Sequence, residues 1–202
     1  LRAVSAIKAL QKAAEDDQSY GVQSAALRSL FKIQREKARP TLLKATGWAS
    51  YRDQVQLTAL GLLAQLGDKA DMQRIRAAAA PGKQKTLRAG AAYALATLAA
   101  RLDSKPLKET ARLDLEGMLH SPTLRIRSAA ANALGALGDP RSRVALQEAA
   151  DREQTARWAK RIERNINRLG KSMTANQRIK RLEDDLNKLL RKGRKENKRH
   201  GR

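Results

Sequence analysis

The sequence contains no cysteine and only two histidines, His120 and His200. Without cysteine, the chain cannot build disulfide scaffolds, thiol nucleophiles, iron–sulfur clusters or Cys-ligated zinc. Two histidines 80 positions apart are too few for a multi-histidine metal site. We therefore expect no catalytic residue, cofactor site or metal site in this chain.

Long apolar runs are also absent. No segment approaches the length of about 18 apolar residues that a membrane-spanning helix needs, and no signal-peptide pattern is present. The chain begins at Leu1 rather than Met, so we interpret it as a fragment or processed product.

Aromatic residues are scarce, at 3% of the chain, whereas 36 of the 202 residues are alanine. A core of alanine and leucine with few rings favours closely packed helices over a β-sandwich. The hydrophobic share of 42% is sufficient for a packed core and argues against global disorder. The net charge of +22 points towards polyanionic or acidic partners.

Four segments of the sequence align without gaps, starting at Val22, Val55, Leu87 and Ile126. Each has an aliphatic first residue, a long polar second residue, a small fifth residue and leucine at the ninth position. The first, fifth and ninth positions share one face of a helix, and the small fifth residue allows a neighbouring helix to approach closely. A degenerate copy is predicted around Ala6.

Turn signals follow two of these segments. Leu66-Gly67-Asp68 and Leu137-Gly138-Asp139 place glycine where a left-handed helix cap is needed and aspartate where the next helix begins. We predict second helices near 40–46, 69–79, 106–119 and 141–150. Helix pairs of this period stack into an α-solenoid.

The repeated residues resemble HEAT repeats, particularly the short bacterial type with Val-Arg, Ala-Leu-Gly and Leu-Gly-Asp. The resemblance implies an all-α right-handed superhelix of about five helix pairs. A second resemblance covers residues 16–100. The segments 17–30, 50–55, 59–68 and 80–82 are similar to the C-terminal helical region of bacterial aminopeptidase N-like zinc metallopeptidases.

That second resemblance implies a non-catalytic cavity wall beside a catalytic domain. In the family, zinc is held by a His-Glu-x-x-His helix, which this sequence lacks, so zinc would belong to an upstream catalytic domain. No catalytic residue is carried over from the family.

The C-terminal part is predicted to change in character. Residues 1–170 form the predicted solenoid, with an amphipathic capping helix at 152–169 in which Trp158 is either a core residue or a base-stacking platform. Residues 171–192 are predicted to form a short amphipathic helix that docks on the chain or self-associates. Residues 193–202 have no apolar side chain and are predicted to be a disordered basic tail.

Basic residues at helix starts and in the tail are the predicted partner contacts. They are Arg88, Arg127, Arg191, Lys192, Arg194, Lys195, Lys198 and Arg199. Further helical arginines are Arg74, Arg76, Arg101, Arg112, Arg125, Arg141 and Arg143, and the sequence leaves open whether they share one surface.

Three functions remain open from the sequence. The first is a protein-interaction module, with an upstream catalytic domain or a separate protein as partner. The second is a free-standing basic solenoid that binds nucleic acid or another polyanion, in part through the tail. The third is an adaptor of the kind that helps to attach bilin chromophores.

Overall fold

The computed structural model describes residues 2–102 and 104–169, which form helices and turns without a strand. The helices are α1 (Arg2–Asp16), α2 (Tyr20–Gln34), α3 (Arg39–Ala45), α4 (Gln54–Leu66), α5 (Asp71–Ala79), α6 (Lys85–Leu102), α7 (Lys105–Met118), α8 (Leu124–Leu137), α9 (Arg143–Arg152) and α10 (156–169). Short 3-10 turns precede α3, α4 and α9. Within these residues no helix is long and apolar enough to cross a lipid bilayer.

Helices that carry the aligned segments pack side by side in chain order. Helix α2 contacts α4, α4 contacts α6, and α6 contacts α8. We call these helices the first layer. Helices α1, α3, α5 and α7 form the second layer, and each packs against the first-layer helix that follows it. The arrangement confirms the all-α solenoid.

The repeat pattern explains why the first layer can pack so closely. The fifth position is a buried alanine in all four copies, and the ninth position is a fully buried leucine. On α6, Gly90 gives Leu57 of α4 room that a β-carbon would fill. Helix α4 contributes Leu60 and Ala64 to one core cluster and Leu62 and Leu63 to the other, so the core continues through it.

The two Gly-Asp turns form as predicted. Gly67 and Gly138 adopt φ values of 80° and 74°, which favour glycine because it has no β-carbon. The Asp68 carboxylate accepts a hydrogen bond from the Ala70 amide at 2.8 Å, and Asp139 accepts one from the Arg141 amide at 3.0 Å. Each turn thus ends one helix and starts the next.

Asp139 makes the stability of the second turn pH-dependent. Side-chain hydrogen bonds from Arg141 hold the pKa of Asp139 below its ordinary value. The stabilisation is present above the pKa of the unfolded chain, about 3.9, and is lost as the pH falls through the lower folded pKa. We expect Asp139→Asn, which retains an N-cap side chain, to lower the free energy of unfolding near pH 6. The difference from wild type should shrink below about pH 3, as measured by urea denaturation. A constant difference across this range would contradict the prediction.

Ion pairs link successive second-layer helices. Arg39, at the start of α3, binds Asp71 of α5 at 2.6 and 3.0 Å. Arg76 of α5 binds Asp114 of α7 at 2.5 Å. Arg141, just before α9, pairs with Glu109 of α7. Many of the carboxylates therefore have partners on the second layer.

The two ends of the predicted repeat array differ in detail from expectation. The degenerate copy predicted around Ala6 lies in α1, which packs on α2 as a second-layer helix, so the first layer begins at α2. At the other end, α9 extends to Arg152, and α10 begins at 156 after a short break. The predicted apolar face is present in α10, where Ile162, Ile166 and Leu169 are buried.

The predictions for Gly170, the helix at 171–192 and the tail at 193–202 fall outside the described residues.

Candidate protein-binding groove

The second position of each aligned segment has the same intramolecular role. Its side chain donates to backbone carbonyls at, or just beyond, the C-terminal end of the preceding second-layer helix. Gln56 reaches the Thr46 carbonyl at 3.2 Å, and Arg88 reaches the Ala79 carbonyl at 3.2 Å. These carbonyls lack a helical partner, so the repeat supplies one.

The remaining two copies complete the pattern. Gln23 donates to the Asp17 carbonyl at 3.0 Å. Arg127 donates to the Ser121 carbonyl at 3.0 Å and also pairs with Glu153 at 3.0 Å. Glutamine and arginine therefore perform the same capping task at the second position.

Arg88 and Arg127, predicted from sequence as partner contacts, thus have intramolecular partners. Their contact with another protein remains a prediction. The other predicted contacts, Arg191, Lys192, Arg194, Lys195, Lys198 and Arg199, lie outside the described residues.

Replacing Arg88 tests the capping role. We expect Arg88→Ala to lower the free energy of unfolding by about 1.5 kcal/mol, because a charged donor to the Ala79 carbonyl is lost. Arg88→Gln should cost less than half of that, since glutamine caps the equivalent carbonyl in two other copies. Urea denaturation measures both values. Equal losses for the two variants would contradict the shared role.

A groove of about 580 Å³ runs across the exposed face of the first layer and α10. We call it the first-layer groove. Its lining residues are Arg52, Leu57, Thr86, Ala89, Gly90, Tyr93, Leu124, Arg125, Ser128, Ala129, Asn132, Trp158 and Arg161. They come from α4, α6, α8, α10 and the turn before α4. The groove therefore crosses several repeats and exists only because the repeats stack.

The charged residues that line the groove in the described part of the chain are all positive. They are Arg52, Arg125 and Arg161, with no carboxylate among them. Among the described residues, none of these three arginines forms an ion pair. Arg161 instead lies over the Trp158 ring, with 5.2 Å between the guanidinium carbon and the ring centroid. Three cations beside apolar walls form a surface suited to a negatively charged ligand.

Backbone strain occurs at one end of the groove. Arg52 and Asp53 both adopt positive φ, at 54° and 57°, a conformation unfavourable for residues other than glycine. The Asp53 side chain is 4% exposed and accepts a short hydrogen bond from the Thr86 hydroxyl of α6. That bond ties the turn carrying Arg52 to the next helix of the layer.

A hydrogen-bonded series crosses the other end of the groove. The Asn132 amide donates to the Tyr93 hydroxyl at 3.1 Å, and the Asn165 amide donates to the Asn132 carbonyl oxygen at 3.1 Å. A β-carbon at Gly135 would lie 2.7 Å from the Asn165 side-chain oxygen, so glycine there lets α10 approach α8. The series holds α6, α8 and α10 in register.

The helical arginines do not converge on one surface. Arg76, Arg112 and Arg141 pair with carboxylates, whereas Arg125 faces the groove. Trp158 is half-buried and lines the groove, so its position is intermediate between that of a core residue and that of an exposed stacking platform.

Sequence reasoning did not identify Arg52, Arg161 and Tyr93 as one group. The available signal in the sequence was that Tyr93 and Asn132 both occupy the seventh position of their aligned segments.

Metal binding gains no support from the geometry. Within the described residues, no three His, Asp or Glu side chains lie close enough together to hold a metal ion.

Comparisons with known proteins agree with this fold. Residues 7–96 match the family model for HEAT repeats, and residues 126–152 match that for the PBS lyase HEAT-like repeat. No curated protein matches the chain. A solved structure, from the complex of CpcE and CpcF of phycocyanin lyase from Nostoc sp. PCC7120, is similar with a TM-score of 0.63 and 22% identity. The match covers 80% of this chain and 98% of the Nostoc chain. At this identity the likeness concerns the fold alone.

Proposed function

We propose that this HEAT-type helical protein is a non-catalytic interaction module that binds a partner protein in the first-layer groove. The observation that carries the proposal is the groove itself, in which three arginines accompany Tyr93 and Trp158 and have no carboxylate partner among the described residues. Arginine, tyrosine and tryptophan are the residues most enriched at the energetic centres of protein interfaces.

The exposure of Tyr93 supports the same function. Its side chain is 45% exposed, although its hydroxyl is held by Asn132. A preorganised aromatic residue loses little conformational freedom when a partner covers it. The structurally similar Nostoc chain belongs to a two-protein complex, which is consistent with a protein partner for this fold.

The sequence-based prediction of an aminopeptidase N-like metallopeptidase is a more specific version of this proposal. In that version, the partner would be a catalytic domain of the same polypeptide, and that domain would hold the zinc. Neither the matched family models nor the Nostoc structure is a peptidase, so the comparisons lend that version no support.

Site-specific photocross-linking in the native cell tests the proposal. A benzophenone amino acid is introduced at Tyr93 in the groove, with a matched control at Val144, which is 68% exposed on α9. We expect a defined protein adduct from position 93 and none from position 144. A cross-link within one longer polypeptide would favour the more specific, same-chain version. Absence of an adduct at 93, or equal adducts at both positions, would contradict the proposal.

A further inference from the structure

We infer that the first-layer groove recognises an acidic segment of the partner protein, in which carboxylates flank an aromatic or aliphatic side chain. The inference rests on the proposed function and adds the chemistry of the ligand. It depends on the charges of the groove, on the strained turn that carries Arg52, and on the position of Arg161 over the Trp158 ring.

The groove differs from the other cavities of the described residues in its charged lining. Cavities of about 570, 490 and 670 Å³ also contain arginines. In those cavities Arg127 pairs with Glu153, Arg76 with Asp114, and Arg141 with Asp139. The groove differs because no carboxylate of the described residues lines it. A ligand's carboxylates would supply the missing partners.

The apolar walls strengthen this preference. Leu57, Tyr93, Leu124 and Trp158 line the groove beside the arginines. A bound segment would exclude water from these walls, and charge-assisted hydrogen bonds are stronger where water is excluded. A side chain of the ligand that packs on Leu57 and Tyr93 would bring its neighbouring carboxylates to the arginines.

The turn at Arg52 is held in a costly conformation. A non-glycine residue at positive φ is in an unfavourable conformation, and two such residues, Arg52 and Asp53, adjoin here. The part-buried hydrogen bond from the Thr86 hydroxyl to Asp53 holds this conformation and fixes where the Arg52 backbone enters the groove. Thr86 is therefore a positioning residue for Arg52.

A peptide fits the groove better than a nucleic acid does. Single-stranded nucleic acids bind through open aromatic faces on which bases stack. The Trp158 ring already carries Arg161 over its face, which leaves less open ring surface for a base to stack on. The chain's own C-terminal tail is basic and would be repelled by the arginines.

Fluorescence anisotropy with the full chain tests the inference. The probes are a labelled (Glu-Glu-Tyr)4 peptide, its (Gln-Gln-Tyr)4 counterpart and a labelled twelve-nucleotide oligo-dT. The groove variant carries Gln at Arg52, Arg125 and Arg161. The matched control carries Gln at Arg74, Lys83 and Arg143, which are exposed and outside the groove.

We expect the groove variant to bind the acidic peptide about 100-fold more weakly than wild type, because three charge-assisted contacts are lost. The control variant should change affinity less than about twofold, and the glutamine peptide should bind poorly to both. Equal losses for the two variants would overturn the inference. Tighter binding of oligo-dT, lost in the groove variant, would overturn it in favour of a nucleic acid.

Thr86 variants test the positioning role without changing the net charge. We expect Thr86→Val to weaken peptide binding about fivefold, and Thr86→Ser to restore it. In an Arg52→Gln background, Thr86→Val should have no further effect. A loss of the same size in both backgrounds would show a merely structural role and overturn the assignment.

The two proposals can fail separately. A cross-link at position 93 combined with equal binding of the acidic and glutamine peptides would leave the interaction function standing and refute the acidic specificity. Absence of the cross-link refutes the interaction function itself.

Discussion

Replacing Arg39 with alanine is expected to lower the free energy of unfolding by about 3–4 kcal/mol. The reason lies in its partner, because the Asp71 side chain is only 2% exposed. Without Arg39, that carboxylate would remain buried with its bidentate partner removed. The measurement is urea denaturation at neutral pH.

Arg76→Ala is the matched control for Arg39→Ala. Arg76 also pairs with an aspartate on the next second-layer helix, but both side chains are substantially exposed, at 43% and 31%. An exposed ion pair contributes about 0–1 kcal/mol. Equal losses of unfolding free energy in the two variants would show that the burial of Asp71 does not make the Arg39–Asp71 pair more stabilising than the exposed pair.

Leu95→Ala is expected to cost about 3–4 kcal/mol. Leu95 is fully buried at the ninth position of α6, which contacts both α4 and α8. Stability in a solenoid depends on contacts between neighbouring repeats, so a cavity in α6 weakens the interfaces on both sides. Differential scanning calorimetry and urea denaturation measure the loss.

The control for Leu95→Ala is Leu113→Ala on α7. Leu113 is 54% exposed, and we expect its truncation to cost less than about 1 kcal/mol. If the two truncations had similar effects, the first layer would not be the centre of the core.

The repeats were predictable from sequence because their packing is local and periodic. Alanine at the fifth position and leucine at the ninth are buried in every copy, and Gly67 and Gly138 form the expected left-handed caps. The carbonyl-capping role of the second position was not predictable in the same way. It depends on where the preceding helix ends in space, and Gln56 and Arg88 look chemically different.

The groove was harder to predict because its residues come from distant parts of the chain. Arg52 lies outside the aligned segments and enters the groove through a strained turn. Arg161 belongs to α10, which does not share the repeat pattern. The large positive charge was evident from composition. Composition does not distinguish a capping arginine such as Arg127 from one such as Arg125, which lines the groove and has no ion-pair partner among the described residues.

Separating the arginines by role changes the interpretation of the charge. Arg88 and Arg127 cap carbonyls, Arg39 and Arg76 link second-layer helices, and Arg125 is among those facing the groove. Among the described residues, arginines without a carboxylate partner also lie outside the groove, for example Arg74 and Arg143. The groove is distinctive because it brings three such arginines together with Tyr93 and Trp158.

Hydrogen–deuterium exchange of the full chain, with and without the (Glu-Glu-Tyr)4 peptide, examines the groove directly. We expect slower exchange on peptide binding in 51–57, 86–93, 124–132 and 156–165, the segments that border the groove, and no change in α5 or α7. Protection confined to the second layer, or to residues 191–202, would contradict partner binding in the first-layer groove.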